Sequence, residues 1–201
     1  PVPKKGPQVP PPLKTLPAPA IRTICPLHAG ICTKNLDYLL QKYDLWSRYE
    51  PEDRTVTIFY ASMYGDTENV VNILASSLAE AGIKNITAYD VSSTHVSVLI
   101  AEAFRCSHLI FAAPTYNNGI YPAMLNLLTD MKALNLQNRT VALIENGSWA
   151  PSCARQMREI LEGMKQMEIL EPTVSIKSSM KEENLKALAL LKDSIIGSLN
   201  G

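Results

Sequence analysis

The feature that most constrains the fold is a regular alternation of short apolar runs with amphipathic segments, which begins at residue 55. The apolar, β-rich runs predict five strands, at residues 55–61, 85–91, 106–113, 139–145 and 169–176. Helical periodicity predicts five helices, at residues 66–82, 94–105, 121–135, 151–166 and 181–199. Strands that alternate with helices form parallel βαβ units, and continuously apolar strands indicate a sheet covered on both faces. The sequence therefore predicts an α/β fold with a doubly wound, five-stranded parallel sheet and helices on both faces.

The first twenty residues differ from the rest in composition, because they hold eight of the fourteen prolines. Proline lacks the amide donor and clashes in a regular helix or a central strand. Residues 1–20 are therefore predicted to be an extended, proline-rich arm. We predict three parts: this arm, interpreted as the remnant of a preceding domain; an inter-domain connector with a short helix at residues 21–53; and a globular domain at residues 54–201.

Charge and composition exclude several classes of function. Nineteen Lys and Arg balance nineteen Asp and Glu, which argues against the broad basic field of a nucleic-acid binder. No apolar run approaches the roughly 18 residues of a membrane span, and the N-terminus has no apolar core of a secretory signal. The four cysteines form no C-x-x-C pair. We expect a cytoplasmic protein, with Cys106 and Cys153 as buried structural thiols.

The expected position of the functional site follows from the fold. In doubly wound sheets, ligands bind at the carboxyl ends of the strands where the strand order reverses. Three loops meet this condition: the first loop, residues 62–68, follows strand one; the second loop, residues 114–119, follows strand three; the third loop, residues 145–151, follows strand four.

The first loop has the composition of a phosphate cradle. It combines the hydroxyls of Ser62 and Thr67, the flexible Gly65 and the free amides of a helix N-terminus. It contains no Lys or Arg, which suits a bound monoester better than a phosphate in transfer. The alternative interpretation is an ordinary helix N-cap made by Ser62 or Asp66.

The second and third loops carry aromatic and amide side chains. The second loop has Tyr116 beside Asn117 and Asn118, and the third has Trp149. Aromatic rings here are able to lie against a planar ligand. The alternatives are a surface turn with an incidental Tyr116, and a Trp149 that packs on the following helix.

Together the three loops predict a ligand that is a phosphorylated planar heterocycle, and flavin mononucleotide (FMN) fits this description. A dinucleotide fits less well, since no G-x-G-x-x-G follows strand one. A response regulator requires a phospho-accepting acid at the end of strand three, where this chain has Ala113 and Pro114.

Residues 55–199 resemble a flavodoxin-like domain. The segments SMYGDTE (residues 62–68), PTYNNG (114–119) and NGSWAP (146–151) resemble the FMN loops of the flavodiiron proteins, or A-type flavoproteins, which reduce oxygen or nitric oxide. The likeness extends upstream through ICPLH (residues 24–28) and residues 43–52. It covers the C-terminal half of a complete family member.

The resemblance implies an FMN-binding electron-transfer domain without a catalytic residue of its own. Ser62, Thr67 and the loop amides would hold the phosphate, Tyr116 and Trp149 would flank the ring, and backbone groups would bond its polar edge. The implied FMN-binding residues are Ser62, Met63, Tyr64, Gly65, Asp66, Thr67, Pro114, Thr115, Tyr116, Asn117, Asn118, Gly119, Asn146, Gly147, Ser148 and Trp149.

The resemblance also implies partners. Electrons would arrive from rubredoxin or a reductase and leave for a di-iron site, and a head-to-tail homodimer would bring flavin and irons together. The family's H-x-E-x-D-H motif does not occur in this chain, so His28, which resembles the family's last iron ligand, would bind metal only with the missing domain. Two alternatives stay open: the chain is a piece of a complete di-iron oxygen or nitric oxide reductase, or it is a flavin-free dimerisation or docking domain.

Overall fold

The centre of the molecule is a single β-sheet. The computed structural model describes residues 21–26 and 30–201, so the proline-rich arm and His28 lie outside the described residues. The strands are β1 Asp53–Tyr60, β2 Thr87–Asp90, β3 Cys106–Tyr116, β4 Gly119–Ile120, β5 Arg139–Asn146, β6 Met167–Ile169 and β7 Val174–Ile176. The helices are α1 Leu36–Ser47, α2 Asp66–Glu80, α3 Val96–Arg105, α4 Pro122–Ala133, α5 Cys153–Glu162 and α6 Glu182–Asn200.

The strand order β2-β1-β3-β5-β6 confirms the predicted five-stranded, doubly wound parallel sheet. The strand predicted at residues 169–176 is interrupted, and this is a correction. Its first part, β6, pairs with the amino-terminal end of β5, whereas β7 pairs with the carboxyl end. Pro172 lies between the two parts and has no amide to donate to a ladder. The short β4 runs antiparallel to the end of β3.

Both faces of the sheet are apolar and covered by helices. Phe59, Phe111 and Leu143 belong to one core cluster, which includes buried side chains of α3, α4 and α5. Their neighbours Ile58 and Ile110 belong to a second cluster, which is completed by α2 and α6. Because successive side chains of a strand point to opposite faces, continuously apolar strands supply both cores at once.

The strand order reverses between β1 and β3, since the chain adds β2 on one side of β1 and then continues on the other with β3 and β5. The loops after β1 and β3 leave their strands at this point in opposite directions, which opens a crevice between them. The fold therefore places the first and second loops side by side, with the third loop next to the second.

The connector is fastened to the opposite, amino-terminal edge of the sheet. Arg139, at the start of β5, is 2% exposed and donates five hydrogen bonds of 2.6–3.0 Å to backbone carbonyls. The acceptors belong to Tyr49 of the connector, Ala103 and Phe104 of α3, and Gln137 and Asn138. Burial lowers the pKa of the guanidinium to about 10, so it stays protonated at neutral pH. One buried cation thus ties three segments together.

Two of the cysteines and two of the histidines have structural surroundings. Cys106 and Cys153 are buried, as predicted, and burial raises the pKa of the Cys153 thiol to about 11. His95 caps α3 by accepting the Ser97 amide at Nδ1. His108 lies inside β3 and bonds the hydroxyls of Ser107 and Ser198 at 2.7 and 3.1 Å.

His108 makes stability depend on pH. Burial, followed by the charge of Arg54, lowers its pKa to about 4, whereas an unfolded histidine titrates near 6.5. The unfolded chain therefore binds the extra proton first, and stability present above pH 6.5 is lost as the pH falls towards 4. Between pH 7 and 4.5, we expect the free energy of unfolding to fall by about 2 kcal/mol less in His108→Gln than in the wild type, as measured by urea denaturation at each pH. Identical losses in both proteins would contradict this assignment.

Candidate functional site

The three predicted loops meet in one cleft at the carboxyl edge of the sheet. The cleft has a volume of about 130 Å³, below the roughly 300–1,000 Å³ of sites that enclose a whole small molecule. It therefore suits a phosphate and part of the attached chain, with a larger ring at the rim. Its lining is Ser62, Met63, Tyr64, Asp66, Thr67, Pro114, Thr115, Asn146, Gly147, Ser148 and Ser178.

Several backbone amides of the first loop lie close together at the start of α2. Gly65 has a φ of +89°, which favours glycine, and is the N-cap of α2. The amides of Gly65 and Glu68 both donate to Ser62 Oγ, at 3.1 and 3.4 Å. Four further amides of the first loop, those of Met63, Tyr64, Asp66 and Thr67, have no acceptor in residues 21–26 and 30–201. Such a group of amides at a helix N-terminus is a ready-made anion site.

The electrostatics of the first loop come from dipoles. No Lys or Arg lies between residues 62 and 68, and α2 begins with the acidic residues Asp66 and Glu68. An anion here is therefore held by neutral donors and the positive end of the helix dipole. The N-cap alternative is correct only in part. Ser62 Oγ accepts loop amides, but the N-cap position is occupied by Gly65, which makes no side-chain capping bond.

The second loop is a tight hairpin. Asn117 and Asn118 both have positive φ angles, of 48° and 59°, and form a two-residue turn that pairs Tyr116 with Gly119. Tyr116 is 43% exposed, and its ring meets that of Tyr121 edge-on, with centroids 6.1 Å apart. The hairpin thus carries an aromatic ring to the ligand edge.

Some second-loop groups are already engaged. Thr115 Oγ1 accepts the amides of Ser152 and Cys153, at 3.0 and 3.3 Å, and so caps α5. The Asn118 carbonyl accepts from the Ser152 hydroxyl and from Gln156 Nε2. These groups fix the second loop against the start of α5, so their contribution to a ligand site is positional.

The third loop folds back closely on itself. A Cβ on Gly147 would lie 3.1 Å from Cα of Pro151, so a larger residue would displace the turn. The Gly147 amide donates a hydrogen bond to the Ile176 carbonyl at 3.0 Å. Trp149 is 94% exposed, so the alternative in which it packs on the following helix is wrong. Its ring is free to contact a ligand at the rim.

Asn146 joins separate parts of the site through its side chain. It is 5% exposed, and its Nδ2 donates to Thr67 Oγ1 at 3.4 Å and to the Ser178 carbonyl at 2.9 Å. Its Oδ1 accepts the Ser178 amide at 3.0 Å. Sequence reasoning missed Ser178, although it follows the last strand and the carboxyl-end rule applies to that loop too.

Two larger grooves lie at the amino-terminal edge of the sheet, away from the three loops. One, of about 650 Å³, lies beside the ends of α1, α4 and α5 and contains Lys132 and Lys165. These cations stand near helix C-termini, whose dipoles they offset. The other, of about 430 Å³, contains His108. Neither gathers free amides as the first loop does.

A metal centre is not found in the described part of the chain. Residues 21–26 and 30–201 contain no group of three or more His, Cys, Asp or Glu side chains arranged to hold an ion. Among the same residues, no helix is long and apolar enough to cross a bilayer.

The fold and the loop site define a doubly wound α/β domain with an anion-binding first loop. The chain belongs to the flavodoxin family, whose model matches residues 58–190. A flavodoxin domain implies FMN as its cofactor, and the proteins that this domain resembles include flavodiiron proteins.

Three relatives illustrate this. Rubredoxin-oxygen oxidoreductase of Megalodesulfovibrio gigas is 30% identical over 144 residues, covering 70% of this chain and 35% of the relative. Nitric oxide reductase of Moorella thermoacetica is 25% identical over 167 residues, with coverages of 83% and 41%. The solved structure of rubredoxin oxygen:oxidoreductase from Desulfovibrio gigas superposes with a TM-score of 0.86 at 26% identity, covering 97% of this chain and 49% of that one. This chain therefore spans half or less of each relative's length.

Proposed function

We propose that residues 54–201 bind FMN at the three loops and transfer electrons through it. The observation that carries this proposal is the group of four acceptor-free amides at the start of α2, next to the two that converge on Ser62 Oγ. A phosphate monoester supplies the acceptor oxygens that these donors lack. The donor set is neutral, which fits a phosphate that stays intact.

The protein supplies binding and orientation, whereas bound FMN supplies one- or two-electron redox chemistry. In this proposal the hydroxyls of Ser62 and Thr67 would donate hydrogen bonds to the phosphate, and Tyr116 and Trp149 would flank the ring. The polar edge of the ring would face backbone groups, among which the amides of Asn117 and Asn118 have no acceptor within the described residues. A catalytic acid or base is not required.

The partners follow from the relatives. Because one relative is named a rubredoxin-oxygen oxidoreductase, we propose a rubredoxin-type protein or a reductase as the electron donor. A di-iron site on a further domain is the proposed acceptor, with His28 as one of its ligands and a head-to-tail homodimer as the assembly. The division into an arm, a connector and a globular domain remains a prediction.

FMN uptake is the direct test. We expect the purified chain to be yellow, or its apo form to take up one FMN per chain, with visible absorbance that bleaches on dithionite. AMP, which has a phosphate but no flavin ring, serves as the competitor control and should displace FMN poorly. A folded protein that neither contains nor takes up FMN would contradict the proposal and favour the docking-domain alternative.

A second candidate function is a role as one piece of a complete di-iron oxygen or nitric oxide reductase. It is favoured by the names of the relatives and by the 35–49% of their length that this chain spans. Metal and flavin analysis of the protein from its natural source, with measurement of oxygen and nitric oxide consumption, separates the two. Iron together with consumption supports the reductase; flavin alone supports a separate carrier.

A further inference from the structure

A fourth loop, residues 177–181, borders the cleft that the sequence assigned to three loops. It follows β7, which pairs with the carboxyl end of β5, where Asn146 stands opposite Ile176. The fourth loop therefore emerges directly beside the third. Ser178 is the one residue of this loop that lines the cleft.

The conformation of Ser178 is held in place by Asn146. Ser178 has a φ of +63°, a left-handed conformation that is unfavourable for a residue with a Cβ. Both of its backbone polar groups bond the buried Asn146 side chain, at 2.9 and 3.0 Å. The same amide reaches Thr67 of the first loop. Asn146 thus sets the position of the fourth loop relative to the phosphate cradle.

The fixed serine presents a hydroxyl pair to the cleft. Ser178 Oγ donates to Ser148 Oγ at 3.1 Å, and both side chains are exposed. This arrangement leaves the Ser148 hydroxyl proton as a donor and the Ser178 oxygen as an acceptor. A pair with one free donor and one free acceptor matches a ligand whose own groups are hydroxyls.

We propose that Ser148 and Ser178 bind the ribityl chain of the flavin, and that Asn146 is the residue that positions them. This inference rests on the proposed FMN function. The third and fourth loops line the cleft with Gly147, Ser148 and Ser178. With the phosphate at the first loop and the ring at Tyr116 and Trp149, we place the polyhydroxylated chain that joins them along this part of the cleft. The fourth loop then selects ligands by their sugar-alcohol chain, independently of phosphate and ring.

Three flavins separate the contributions of phosphate, chain and ring. FMN has all three, riboflavin lacks the phosphate, and lumiflavin lacks both phosphate and ribityl chain. We expect Ser178→Ala to weaken FMN and riboflavin alike, by roughly 3–10-fold, and to leave lumiflavin unchanged, as measured by quenching of flavin fluorescence. Ser179→Ala, in the same loop but outside the cleft, should change none of the three.

The positioning role of Asn146 is tested with riboflavin, which carries no charge. Asn146→Asp keeps the acceptor for the Ser178 amide but loses the donor to the Ser178 carbonyl and to Thr67. We expect it to weaken riboflavin about as much as Ser178→Ala does, and the double variant to add little, because an unplaced Ser178 hydroxyl contributes nothing further. Additive losses would show that Asn146 acts elsewhere.

The outcomes that overturn this inference differ from those that overturn the function. Unchanged riboflavin affinity in Ser178→Ala, or an equal loss for lumiflavin, would show that the serine pair only closes the third loop. A loss for FMN alone would place Ser178 at the phosphate. Failure of the wild type to bind any flavin would instead refute the proposed function, and this inference with it.

Discussion

Replacing Arg139 by methionine is expected to lower the free energy of unfolding by about 3–5 kcal/mol, measured by urea or thermal denaturation. The side chain is 2% exposed, and its five bonds go to carbonyls that would lose this donor. Since whole domains are stable by only about 5–15 kcal/mol, this one residue supports a large share of the total. The connector should detach first, because Tyr49 is joined to β5 through this guanidinium.

Two further variants test that explanation. Arg139→Lys keeps the charge but supplies three donors from a single nitrogen, so we expect an intermediate loss of about 1–3 kcal/mol and a protein that still folds. Arg155→Met serves as the matched control, since its side chain is 78% exposed and its ion pair with Glu159 spans 4.0 Å; its effect should stay within about 0.5 kcal/mol. A loss below about 1 kcal/mol for Arg139→Met would refute the role of the carbonyl cluster.

The double substitution of Ser62 and Thr67 by alanine is expected to weaken FMN binding by about 100-fold or more. Each hydroxyl would donate to a charged phosphate, and a hydrogen bond to a charged group contributes roughly 1.5–3 kcal/mol. Riboflavin has no phosphate, so its affinity should change little. Titration of the apoprotein with both flavins therefore isolates the phosphate contribution.

The control for this experiment lies on the same helix. Ser77 of α2 donates to the Ile73 carbonyl, far along the helix from the first loop, and Ser77→Ala should bind FMN as the wild type does. Equal weakening of FMN and riboflavin by the double variant would indicate general loop collapse. Unchanged FMN affinity would remove the phosphate-cradle assignment altogether.

The strands and helices were predictable because periodicity is a local property. A run such as residues 109–113 is apolar throughout, and only a strand covered on both faces buries every one of its side chains. Pro172 marks the interruption of the fifth strand in the sequence, because it has no amide to donate to a ladder, but the periodicity of residues 169–176 did not indicate it. Residues 170–173 separate the apolar pair Met167 and Ile169 from the pair Val174 and Ile176. Tertiary packing decides which half of β5 each pair contacts.

The site was predictable as a set of loops but not as a set of contacts. Loop composition indicated the phosphate cradle, and the acceptor-free amides of the first loop agree with it. It did not indicate that Thr115 caps α5, that the Asn118 carbonyl is engaged, or that Ser178 lines the cleft. These contacts join residues more than 30 positions apart, and no local sequence pattern indicates which of them pair.

The sequence by itself determined the class of fold, the three ligand-edge loops and the neutral character of the phosphate site. Periodicity, turn residues and the absence of Lys and Arg from a loop are all properties of short segments. Only the tertiary structure decided that Arg139 fastens the connector and that Asn146 couples a fourth loop to the first. The physical reason is that a buried polar group needs partners, and folding brings those partners from distant parts of the chain. Arg139 has its partners at the amino-terminal edge of the sheet and Asn146 at the carboxyl edge, so both sets of contacts depend on the completed sheet.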